Sequence, residues 1–215
     1  MPRRSRVLIE GGIYHIYNRF ARGAEIFSEA DNVERFLDLW RRAKERDGLT
    51  VFAWCLMSNH YHLAVRTGPV SLARTVGYVQ ARFGQDYNRR TKSSGPRWQS
   101  RYKARLITGM AYLGQVIAYI HVNPVTAKLV EDPAAYPYSG PRELMRRTRD
   151  AWIDVDETLL IYGDRLRSAR RNYRRALARI SHRLSAVTAE TPAIVAFLPA
   201  APPAACLQHA SAAPG

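Results

Sequence analysis

The chain has 215 residues, 47% of them apolar, and a formal charge of +15 at pH 7. Such a chain can bury a core in one domain with appendages, and its positive field favours a polyanionic partner, nucleic acid or an anionic surface. No apolar run nears the roughly 20 residues of a membrane span, the basic start MPRRSRVLIEGG lacks a secretory signal's apolar stretch, and Cys55 and Cys206 make no disulfide framework, so a cytoplasmic protein without a membrane partner is expected.

GGIYHIYNRF (Gly11 to Phe20) alternates and is rich in β-formers, which predicts a first strand. A helix is predicted from Asp31, with Glu34 three residues later as in a capping box. Val33, Phe36, Leu37, Trp40 and Ala43 keep to one of its faces, and Asp47-Gly48 ends it. LTVFAWCLM and HYHLAVR then read as two antiparallel strands joined by a tight turn at Ser58-Asn59. A second helix runs from about Ser71 to Arg90. Beyond the Gly/Ser/Pro-rich TKSSGP, the end of RWQSRYKARLI reads as a fourth strand. GMAYLGQVIAYIHVNP follows as a third helix, stopped by Pro124.

The order βαββαβ plus a helix predicts an α+β fold, a ferredoxin-like antiparallel sheet with two helices on one face. The other face is left for a site or for the added helix. Residues 1–140 form this domain. Residues 141–185 are read as a basic extension of two or three helices, since 141–183 hold twelve arginines against six acids. Residues 186–215, with eleven alanines, five prolines and neither lysine nor arginine, read as a disordered tail.

The stretch LMSNHYHLAV sets two imidazoles into an apolar run. Successive strand side chains point to opposite faces, so Tyr61, Leu63 and Val65 should face the helix-covered core. His60 and His62 should then emerge together on the open face, where two imidazoles can ligate one ion. The plain alternative is a pair of histidines with no ligand. In the third helix Tyr119 and Asn123 are four residues apart and share a face. If that helix lies on the open sheet face, Asn123 can offer a carbonyl oxygen to the ion, with Tyr119 beside it. A phenol is a poor nucleophile at neutral pH, and a metal that polarises a phosphate oxygen would lower the barrier to its attack. The alternative for Tyr119 is a packing aromatic.

LMSNHYHLAV resembles the His-hydrophobic-His signature of the single-tyrosine HUH transposases, and YIHVNPVTAKLV resembles the segment that carries their nucleophile. YHIYNRFARGAEIF, RWQSRYKARLI and YPYSG make the resemblance closest to the REP-associated tyrosine transposases, over roughly residues 8–140. It implies His60 and His62 as metal ligands with Asn123 as the third, Tyr119 as nucleophile, and Mg²⁺ or Mn²⁺ as cofactor. It also implies single-stranded or hairpin DNA as substrate, cut to a 5′-phosphotyrosine and a free 3′-hydroxyl and then rejoined. Tyr61, at the middle position of the motif, is a rival nucleophile that its strand parity points towards the core.

From Tyr87 to Arg105 there are seven basic residues and no acid: Arg89, Arg90, Lys92, Arg97, Arg101, Lys103 and Arg105. They interleave with Tyr87, Trp98 and Tyr102, a pairing that suits a single strand, with cations on phosphates and aromatic faces on bases. Trp98 is the expected stacking anchor if exposed, and core packing is the alternative. The arginines of the extension suit duplex phosphates, or a solvated helix face. Two rival functions remain open: a non-catalytic nucleic-acid binder on the same sheet face, and a metal-dependent nicking enzyme without a covalent intermediate. The sequence does not choose between monomer and homodimer.

Overall fold

The computed structural model describes residues 9–146 and 151–188. Four strands, β1 (Ile13–Arg19), β2 (Thr50–Met57), β3 (His60–Arg66) and β4 (Lys103–Leu106), form one sheet in the order β2-β3-β1-β4. Every pairing is antiparallel. Helices α1 (Ala30–Asp47) and α2 (Leu72–Arg90) pack together over one face. Six elements in this order and this strand arrangement are the ferredoxin-like split that the sequence predicts.

The α1 side of the sheet holds an aromatic core. Val33, Phe36, Leu37, Trp40 and Ala43 are all buried there, as their spacing requires. Tyr61 joins them from β3, fully buried, its ring 5.2 Å from that of Phe36 and its hydroxyl accepting a 2.8 Å hydrogen bond from Gln80 Nε2. The parity argument for β3 therefore holds, and Tyr61 is enclosed on the side away from the histidines. The capping box does not form: α1 begins one residue earlier, with Glu29 at the cap and no side-chain cap bond. Asp31 pairs with Arg35 at 2.8 Å instead. Gly48, at φ +68°, closes the helix in the left-handed conformation, its N–H bonded to Lys44 O.

The third helix, α3 (Met110–Thr126), crosses the opposite face against β2 and β3. Pro124 does not stop it. A proline at that position leaves Ile120 O without its i+4 donor, and the Asn123 side chain supplies one, Nδ2 donating to Ile120 O at 3.2 Å and to Tyr119 O at 2.8 Å.

Residues beyond α3 close the β2 edge. Leu56 N donates to Tyr138 O at 2.9 Å and Gly140 N to Trp54 O at 3.1 Å, which covers a strand that would otherwise offer unpaired backbone groups. A Cβ on Gly140 would lie 2.4 Å from Ile153 Cδ1 and 3.0 Å from His121 Nε2 and Trp54 Cδ1, so any larger residue there requires these side chains to shift. The expected basic helices are in fact two short ones and one long one: α4 (Pro141–Met145), α5 (Val155–Leu160) and α6 (Leu166–Thr188). Only α6 is arginine-rich; α5 opens on Asp156 and Glu157. Helix α6 lies on the back of α3, where buried His121 Nδ1 and Tyr173 Oη are 2.7 Å apart. Residues 186–188, assigned to the tail, belong to the last turn of α6, and the remainder, 189–215, lies outside the described residues.

Candidate active site

Strand pairing decides which side chains share the α3 face. In register, Arg19 stands opposite His60, Tyr17 opposite His62 and His15 opposite Ala64. Odd-numbered side chains of β1 and even-numbered ones of β3 therefore point the same way, towards α3. The result is a cavity of about 730 Å³ whose lining includes Tyr17, Arg19, His60, His62, Lys103, Tyr119 and Asn123. The four residues singled out from the sequence meet at this one place.

Both imidazoles are held by one nitrogen. His60 Nδ1 lies 2.7 Å from Asn59 Oδ1, and His62 Nδ1 lies 2.9 Å from His15 Nε2. Neither Nε2 has a hydrogen bond among the described residues, and the rings stand edge to face with centroids 5.1 Å apart. Burial, reinforced by the Arg19 guanidinium, lowers His60 to a pKa of about 4. Burial, with the neighbouring rings and Arg19, holds His62 well below the usual imidazole value. Both rings are thus neutral at physiological pH, the form in which imidazole ligates a metal.

Asn123 could add an oxygen donor to the two imidazoles. Its amide nitrogen is committed to two helix carbonyls, which leaves Oδ1 as the atom free to accept. Two imidazole nitrogens and one amide oxygen fit a divalent cation, and a proton on each Nδ1 would fix the rings in the ligating tautomer. Among the described residues no three His, Cys, Asp or Glu side chains form a metal cluster, so an amide is the available third donor in this cavity.

Tyr119 sits beside this set, only 6% exposed, its ring centroid 6.0 Å from that of His62. Burial, and then the Tyr17 hydroxyl, push its pKa up to about 12, with Arg105 acting in the opposite sense. The phenol therefore rests protonated.

The basic residues expected on DNA divide into groups. Lys103 lines the cavity, with its ammonium 5.7 Å from the Tyr17 ring centroid, and Arg105 follows two residues on along β4. Arg101 and Lys92 are exposed. Arg89 is exposed and bonded to Asp86 at 2.8 Å. Arg90 is tied into the fold, donating to Asp86 and Asn32 at 2.9 and 2.7 Å. Arg97 caps its own loop through Ser94 O and lies over the Tyr87 ring. Trp98 is not a free stacking anchor: its ring packs 4.5 Å from Phe20 and its Nε1 donates to Gln80 O. The residues that sequence reasoning passed over are His15, Tyr17 and Arg19. Their signal was the alternation of β1 itself, readable once the strand is paired with β3.

Residues 9–123 match the family described as "Transposase IS200 like". No curated protein matches the chain. Among solved structures, a REP-associated tyrosine transposase bound to a REP hairpin aligns with a TM-score of 0.60 at 18% identity, over 72% of this chain and 93% of that one. That likeness is one of fold. A candidate transposase from Deinococcus radiodurans aligns at a TM-score of 0.36 and 17% identity, over 55% of this chain and 95% of that one, too low to support an argument.

Proposed function

The chain belongs to the IS200-like transposase family, and from that premise we propose that it cuts and rejoins single-stranded or hairpin DNA through Tyr119. The observation that carries the proposal is the convergence of His60, His62, Asn123 and Tyr119 on one cavity. A non-catalytic binder has no use for two neutral imidazoles with their Nε2 atoms open beside a phenol. The structural neighbour that holds a REP hairpin supports a hairpin as the form of substrate.

A divalent cation, Mg²⁺ or Mn²⁺, would be held by Nε2 of His60 and His62 and Oδ1 of Asn123, and supplies polarisation of a phosphate oxygen. The protein does the rest. Asn59 and His15 orient the two rings. Arg19 and Lys103 line the cavity and offset phosphate charge, while Tyr17 presents a half-buried ring to a base. Tyr119 Oη bonds to phosphorus as the bond to the 3′ oxygen breaks. The phenol proton leaves, the departing oxygen takes one up, and the products are a 5′-phosphotyrosine and a 3′-hydroxyl. Attack by a 3′-hydroxyl on the phosphotyrosine reverses the step and rejoins a strand.

The test is a labelled stem-loop oligonucleotide incubated with Mn²⁺ and resolved under denaturing conditions. Wild type should give a protein–DNA adduct, Tyr119→Phe none, and Tyr17→Phe an adduct still. Cleavage that persists in Tyr119→Phe would establish a hydrolytic nicking enzyme on the same cavity instead.

A further inference from the structure

The cavity leaves the exposed face of α6 without a role. Between residues 166 and 188 there are seven arginines and no acid. Arg170 turns inward, its Nε donating to Leu144 O at 3.1 Å. The other six, Arg167, Arg171, Arg174, Arg175, Arg179 and Arg183, are all exposed. Among the described residues none of the six forms an ion pair. Arg167, Arg171, Arg175, Arg179 and Arg183 follow one another at four-residue spacing, so each repels the next along the same face. Solvated helix faces ordinarily mix signs. A single-signed ladder with no internal acids suits an external polyanion.

We propose that this face of α6 is a ridge that holds the phosphate backbone of duplex DNA, apart from the cleavage cavity. Guanidinium forks match phosphates in pairs of hydrogen bonds, and α6 carries arginine with no lysine at all. From Arg167 to Arg183 the ladder runs about 24 Å at 1.5 Å per residue. That reach spans about seven base pairs of a duplex at 3.4 Å of rise along its axis.

Three observations select the partner. A membrane surface would need an apolar stripe to insert, and the stripe of α6, Ala169, Tyr173 and Leu177, is buried. A single strand is gripped by stacking as well as charge, and the exposed side of α6 carries no Phe, Tyr or Trp. Phosphate binding alone serves a duplex, whose bases are already stacked on one another. DNA, among duplex polyanions, follows from family membership.

The ridge also faces away from the cavity. On α3, His121 points back to Tyr173 of α6, whereas Tyr119 and Asn123, two residues to either side, line the cavity. Duplex and single strand would therefore occupy different sides of α3, and neither should displace the other. The inference stands on the charge pattern and does not require the cavity to be catalytic.

The experiment is anisotropy of a labelled blunt duplex of about two helical turns across a salt series. It compares the full chain with two triple variants. Arg171→Gln/Arg175→Gln/Arg179→Gln removes ridge charge, and Arg22→Gln/Arg42→Gln/Arg74→Gln removes the same charge from elsewhere on the surface. The ridge variant should weaken duplex binding at least tenfold. It should also flatten the slope of log K against log salt by nearly three, about 0.9 for each phosphate no longer neutralised. The control variant should keep most of the slope, and both should keep the wild-type circular dichroism and melting temperature. Equal slopes for the two variants would overturn the ridge. Arginine-dependent capture on phosphatidylserine vesicles, without loss of duplex binding, would overturn duplex DNA as its partner.

Discussion

His15 Nε2 and His62 Nδ1 lie 2.9 Å apart between adjacent strands, so each imidazole fixes the tautomer of the other. For His62 to turn a lone pair on Nε2 towards the cavity, its proton must sit on Nδ1 and be donated to His15. Burial, then Arg105, lowers the His15 pKa to about 3, which keeps that ring neutral and able to accept. Its own Nδ1 is buried with no partner among the described residues, a cost that the fold carries to hold His62 in place. His15→Leu should weaken Mn²⁺ binding about 10- to 100-fold in calorimetric titration, the usual consequence of losing an outer partner of a ligand. His15→Gln, which keeps an acceptor, should lose less. Equal affinity in wild type and His15→Leu would show that the pair has no part in holding a metal.

Asn123 serves the helix as well as the cavity, and the two roles can be separated. Asn123→Ala leaves Ile120 O without a donor above Pro124, a loss of about 1–3 kcal/mol in urea unfolding. Pro124→Ala restores the backbone N–H that the amide replaces. In that background Asn123→Ala should cost less, with a coupling of about 0.5–2 kcal/mol in a double-mutant cycle. Metal binding should be lost in both backgrounds.

Acid should destabilise the metal-free protein early. Burial lowers His15 and His121 to about 3 and His60 to about 4, and His62 well below its ordinary value. Above pH 6.5 folded and unfolded chains are alike neutral at these rings. Below it the unfolded chain takes up protons that the folded chain refuses, so stability is full above about 6.5 and is lost as pH falls towards 4. Each ring contributes up to about 1.4 kcal/mol per pH unit. Urea unfolding at pH 7.5 and pH 5 should show the difference, and a flat profile would mean that the rings charge in place.

Basic residues that look alike in the sequence should separate by assay. Lys103→Ala should weaken binding of a single-stranded oligonucleotide and flatten its salt slope by about 0.7, with little change in melting temperature. Arg90→Ala, which breaks bonds to Asp86 and Asn32, should lower the melting temperature and leave the slope nearly intact. Trp98→Ala should cost about 1–3 kcal/mol of stability, since the half-buried ring packs on Phe20 at the margin of the core.

Alternation made the sheet legible: the period of β3 alone sends Tyr61 inward and His60 with His62 to the other face, and the period of α3 alone sets Tyr119 over Asn123. What depended on partners distant in the chain was not legible. Pro124 reads as a stop unless one knows that the preceding amide reaches back to Ile120. Trp98 reads equally as a stacking anchor or as a packed ring until the loop folds onto Phe20. His15 and Tyr17 gain meaning only from the register between β1 and β3, which no local pattern specifies. Glu34 offers a capping box, and tertiary packing starts the helix one residue earlier instead.

Helix α3 is enclosed from both sides, by the sheet in front and by α6 behind, and every residue from Val116 to Val122 is buried. The segment shared with the family ends at residue 123, yet the cover for the back of α3 comes from residues far beyond it. Trimming the protein to its shared part would therefore strip the helix that carries Tyr119 to water along one flank. Such a truncated chain should self-associate or fail to accumulate, whatever the integrity of the residues that line the cavity.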